Sequence, residues 1–135
     1  MKKILTLFIS VLLPFTAAMA QSGEYDVFVP ISKYIVQGDA QSLSAWFADN
    51  LEVSIISSTR TCSKTQARQI VKTFFDSYTP RSFTITHKAS RSNMKYALGQ
   101  LSAGGEVFIV TVFVSEKGGS YVIQQLKIDR QTAVY

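Results

Sequence analysis

The sequence predicts an α+β domain in which helices come first and an antiparallel meander follows. Ala67, Ile70, Val71, Phe74 and Tyr78 recur at helical spacing behind Ser63 and Gln66, a capping-box pair. Beyond Pro80 the period drops to two, with apolar and polar residues alternating. Arg91-Ser92-Asn93, Gly104-Gly105 and Gly118-Gly119 divide that stretch at hairpin spacing.

The first helix is expected over Tyr25 to Val36, with Phe28, Ile31 and Ile35 sharing a face. Pro30 is tolerated only near a helix start, because an interior proline costs about 3 kcal/mol, so the regular helix should begin late. Gly38 offers a left-handed stop, and Asp39 caps a shorter helix, Ala40 to Ala48. That helix sets Leu43, Trp46 and Phe47 on one side, and Asp49-Asn50 turns the chain. Leu51 to Ile56 alternates as a half-buried strand with Glu52 and Ser54 outward; Ser57-Ser58 then turns into a brief strand, Thr59 to Cys62. The long helix runs from Ser63 to Pro80. Four strands complete the chain. In the first of them Phe83, Ile85 and His87 alternate with Thr84, Thr86 and Lys88, which sends His87 toward the covered face. Met94 to Leu101, Val107 to Ser115 and Tyr121 to Asp129 follow. Val107 to Ser115 is apolar on both faces, which predicts a central strand covered on each side.

The first 20 residues have the pattern of a cleavable signal peptide. Lys2 and Lys3 precede an apolar run from Ile4 to Leu13, and Ala18-Met19-Ala20 presents small residues to a peptidase, so cleavage is expected between Ala20 and Gln21. The run is too short to span a bilayer stably, and Gln21 is not lipidatable. The product is expected in the periplasm or outside the cell, without a stable membrane anchor. Removing 20 of the 135 residues leaves 115, one domain over 21–135. Losing Lys2 and Lys3 lowers the formal charge from +5 to +3. The remaining basic residues are scattered, which argues against nucleic acid as a partner. Cys62, the only cysteine, cannot form an intramolecular disulfide and reads as a small buried hydrophobe, with a bridge to another chain as the alternative. One histidine and no CxxC pair argue against a protein-built zinc site, so no metal is expected. Each double glycine sits in a hairpin rather than before a helix, and no GxSxG elbow occurs. No cofactor is implied.

The order of helix, helix, short hairpin, long helix and four strands resembles the nuclear transport factor 2-like (cystatin-like) cone, in which a strongly bent antiparallel sheet curls around the long helix. Ser63-Lys64-Thr65-Gln66-Ala67, Phe74-Phe75, Pro80-Arg81-Ser82-Phe83, His87-Lys88, Lys95 to Leu101 and Gln125-Leu126-Lys127-Ile128 together resemble one family of small exported bacterial domains. That family carries a domain-of-unknown-function label, and the resemblance spans about Tyr25 to Arg130. It implies the cone but no activity and no catalytic residues. It also implies a homodimer through the outer sheet face, since cone domains commonly pair there.

His87 is the candidate general acid/base, with a neutral structural histidine as the competing reading. Enzymes on this superfold place carboxylates inside the cone, yet Glu52 alternates outward and Asp49 reads as a turn residue. Trp46, Phe47, Phe74, Tyr78 and Tyr96 are aromatics that could line a ligand pocket with His87, or could simply be core. The reading that results is a non-catalytic exported module binding a small apolar or mixed ligand, or a protein. The alternatives are a hydrolase or isomerase using His87 in the cone cavity, and a purely structural homodimer.

Overall fold

The structure, a computed structural model, describes residues 26–131. The expected signal peptide, residues 1–20, lies outside the described residues.

Helix α1 is Phe28–Gln37, with the late start expected from Pro30, which sits in its first turn, where a missing N–H has no intrahelical acceptor to lose. Gly38, at φ 67°, ends it; its N–H donates to the Ile35 carbonyl. Asp39 caps α2 by accepting the Ser42 N–H at 3.0 Å. Helix α2 covers only Ala40–Ser44. The expected extension to Ala48 is overturned by the sheet. The Trp46 carbonyl accepts the Ile123 N–H, and Phe47 already belongs to strand β1, Phe47–Ile55. Asp49 and Asn50 are therefore strand residues beside a register shift rather than a turn.

Ile56 and Ser57, both at positive φ, turn the chain into β2, Ser58–Ser63. Helix α3, Lys64–Ser77, carries the full capping box, with Ser63 and Gln66 each accepting the other's backbone N–H. Strands β3 (Pro80–Arg91), β4 (Met94–Ala103), β5 (Glu106–Lys117) and β6 (Ser120–Arg130) form the expected meander. The six strands lie in the order β2-β1-β6-β5-β4-β3. Every pairing is antiparallel except β1 with β6, a parallel contact that joins the β1–β2 hairpin to the meander.

The core lies between the concave face of this sheet and the helices. Phe108, Val110, Val112 and Val114 of β5 face inward and are almost fully buried. Phe108 meets Phe74 and Tyr78 edge to face, each at 5.1 Å between centroids. The outward residues of β5 are less covered: Ile109 and Phe113 are half-buried and Val107 is 42% exposed. The strand is central, but among the described residues it is fully covered on one side only.

The alternation assumed for β3 fails at one point. Ile85 pairs with Gly99 and His87 with Leu98, so Thr86 is an extra residue in the ladder. A bulge of one residue exchanges the faces of everything beyond it. Phe83 and Ile85 face the core, whereas His87 is exposed on the outer surface. The expectation that His87 points inward is corrected by this bulge.

Candidate functional site

The same bulge turns Lys88 and Ser90 inward. Across the hairpin Lys88 pairs with Ala97, a buried inward residue, and Ser90 pairs with Lys95. Lys95 is in turn aligned with Val114 of β5, which is aligned with Ile123 of β6, so its position is set by three strands rather than by a loop. Both lysines border a cavity of about 780 Å³ at one end of the concave face.

Three aromatics share the lining: Phe28 from the start of α1, Trp46 from the link into β1, and Tyr121 from β6. Asp26 completes the rim. One carboxylate oxygen accepts the Phe28 N–H at 2.9 Å, and the other accepts from Lys88 Nζ at 2.6 Å. Partial burial pushes the Asp26 carboxyl up, but the hydrogen bonds from Lys88 and Phe28 and the charges of Lys88 and Lys95 outweigh it. The net result is a pKa below the ordinary carboxylate value. Lys95 Nζ instead lies over the Tyr121 ring, 4.9 Å from its centroid.

The aromatics singled out in the sequence do not converge. Trp46 lines the mouth cavity, while Phe47 is buried core. Phe74 is core as well, and with Tyr78 it floors a separate groove of about 400 Å³ between α3 and the β1–β2 hairpin. Tyr96 lies on the outer face, 5.8 Å from the His87 ring and 6.4 Å from Phe113, beside a hollow of about 360 Å³. His87 borders none of these three cavities. Asp49 is exposed, and Glu52 accepts from Gln125 Nε2 at 3.0 Å on the outer face. Cys62 is buried, which pushes its thiol up against the opposing pull of Arg60.

Sequence reasoning passed over Asp26, Lys88, Lys95 and Tyr121. The available signal was two lysines on either side of a hairpin turn, at positions that share a face once the bulge is placed. Among the described residues no group of three or more His, Cys, Asp or Glu could hold a metal ion, and no helix is long and apolar enough to cross a membrane.

The profile of the family described as domain of unknown function (DUF4783) matches residues 28–129. A solved DUF4783 family protein from Bacteroides uniformis is similar in structure, with a TM-score of 0.76 and 23% identity, over 80% of this chain and all of that one. Another, from Bacteroides fragilis, gives 0.75 and 21% identity over 78% of this chain and all of that one. A Nostoc punctiforme domain of unknown function with a cystatin-like fold gives 0.63 and 11% identity, over 77% of this chain and 72% of that one. At these identities the likeness concerns the fold, an α+β cone of the cystatin-like, nuclear transport factor 2-like kind. No curated protein matches the chain.

Proposed function

The chain belongs to the DUF4783 family, a domain of unknown function, and from that starting point we propose that it is an exported, non-catalytic module that holds a small ligand of mixed polarity in the mouth of its cone. The observation that carries this reading is the cavity of about 780 Å³, within the size range of small-molecule sites, with three aromatics and a few polar groups in its lining. The non-catalytic part rests on chemistry. Lys88 and Asp26 are already paired with each other, and the one imidazole of the chain stands on the other face of the sheet. These placements support the binding reading over one that uses His87 in the cavity.

Native mass spectrometry of freshly purified protein tests the reading. A small molecule should accompany the wild-type chain and be lost from Trp46→Glu, which sets a carboxylate in the apolar part of the mouth. A wild-type chain carrying no added mass, or a mass retained equally by the variant, goes against it. Export is supported by Lys2-Lys3, the apolar run and Ala18-Met19-Ala20. Secreted material should begin at Gln21; N-terminal sequencing that returned Met1 or Lys2 would contradict cleavage.

A second reading, pairing with another copy of the chain through the outer sheet face, is favoured by one observation. Two of the three exposed large hydrophobic residues among those described, Met94 and Val107, lie on that face beside half-buried Tyr96, Ile109 and Phe113.

A further inference from the structure

We propose that the mouth cavity selects an amphiphile bearing a negative charge, with the Lys95 ammonium holding the anion and the aromatics seating the apolar body. This deepens the ligand-binding reading and rests on it.

The lining carries two lysines and one aspartate, a net charge of +1. The two lysines are not equivalent. Lys88 has its counter-ion in Asp26, at 2.6 Å. Lys95 has no carboxylate within salt-bridge distance among the described residues, and its contact is a ring face. An ammonium has three N–H donors, and a ring face is a weak substitute for an anionic acceptor. Ser90, aligned with Lys95 in the ladder, and Ser120 beside Tyr121 bring hydroxyl donors to the same lining. A carboxylate or phosphate placed there would gain charge-assisted hydrogen bonds that a neutral headgroup cannot make. A cationic headgroup would face the net positive charge of this lining. Phe28, Trp46 and the part of the Tyr121 ring not covered by Lys95 supply apolar surface in the same lining, so the ligand is amphiphilic rather than a bare ion.

Decanoate, 1-decanol and decylammonium share a chain and differ in headgroup charge. Each is titrated, below its micelle concentration, into the full mature chain. Trp46 is the only tryptophan and lines the cavity, so its fluorescence reports occupancy, with calorimetry as an independent readout. Decanoate should bind about tenfold more tightly than decanol, and decylammonium more weakly than either, because a charge-assisted hydrogen bond contributes roughly that factor. Added salt should narrow the gap. In Lys95→Gln the decanoate-to-decanol ratio should fall close to one, and Lys95→Arg should restore it. Equal affinity for decanoate and decanol overturns the anion selection while leaving the binding reading in place. A ratio that survives Lys95→Gln overturns the role given to Lys95. Absence of binding by all three in both readouts overturns the cavity reading together with this inference. Sedimentation with phosphatidylglycerol vesicles in place of decanoate binding would assign the anion to a membrane surface and defeat the cavity site.

Discussion

Gly99 illustrates how one residue fixes local structure here. A Cβ at this position would lie 2.6 Å from two ring carbons of Phe83 and 2.9 Å from the Thr84 carbonyl oxygen. The Phe83 ring covers the glycine from the neighbouring strand, immediately before the bulge that reorients His87 and Lys88. Gly99→Ala should therefore destabilise the fold by about 1–3 kcal/mol through overpacking. Urea unfolding measures this, and a neutral result would mean that the Phe83 ring is free to move aside. His87 leads to the opposite expectation. It is exposed, so His87→Gln should leave stability within about 0.5 kcal/mol of wild type in the same assay, and a larger loss would contradict its outward placement. Asp26 gives the pH dependence. Its folded pKa is depressed, so its contribution to stability is present above the unfolded carboxylate pKa of about 3.9 and is lost as pH falls through the lower folded value. Its side chain is 36% exposed, so solvent keeps the effect modest. Wild type should exceed Asp26→Asn in stability at pH 7, and the gap should close below about pH 4. A gap independent of pH would show that the Lys88 and Phe28 contacts do not act through the carboxylate charge.

At the scale of elements, α3 was the most legible part of the chain because its start, face and stop are all local signals. Ser63 and Gln66 cap it, and Ala67, Val71 and Phe74 are buried. Phe74 packs against Phe75, Tyr78 and Phe108, and Phe74→Ala should cost about 3–5 kcal/mol. A loss below about 1 kcal/mol in thermal or urea unfolding would show that the helix does not present this face to the core. The hairpins were equally legible, since Gly104-Gly105 and Gly118-Gly119 adopt the positive φ that their turns require. Misreadings fell where long-range pairing overrode local pattern. Leu43, Trp46 and Phe47 fit a helical face, but Phe47 aligns with Ile123 across the parallel β1–β6 contact, 76 residues further along the chain. Local periodicity carries no information about that partner. The candidate site was missed for a similar reason. Perfect alternation puts His87 inside and Lys88 outside, and the one extra residue at Thr86 reverses both, without a glycine or proline to mark the bulge. Of the aromatics singled out, Phe47 and Phe74 are core, Tyr96 lies on the outer face, and only Trp46 borders the mouth.

For the molecule as a whole, the two faces of one sheet divide the proposed roles. The concave side holds the core and the mouth cavity, and the convex side presents Leu98, Tyr96, Ile109, Phe113 and Val107 on adjacent strands. At about 4.8 Å between strands and 6.8 Å between same-face residues, these five apolar positions cover on the order of 160 Å² in projection. A stable interface buries about 800 Å² per partner, so pairing of two copies would also have to recruit polar neighbours such as Gln100, Thr111 and Gln125. The expected result is a concentration-dependent homodimer rather than an obligate one. Sedimentation velocity over a hundredfold concentration range should show monomer giving way to dimer. Phe113→Glu sets a charge in the middle of the face and should hold the protein monomeric. Because Phe113 points away from the core, its replacement should change unfolding stability by less than about 1 kcal/mol. Decanoate affinity of the wild type should stay the same across that concentration range, since the mouth cavity lies on the concave face. Wild type that stays monomeric throughout, or a dimer that survives Phe113→Glu, would rule out the convex face as the pairing surface. A decanoate affinity that tracked the oligomeric state would show instead that the cavity is completed by a second copy.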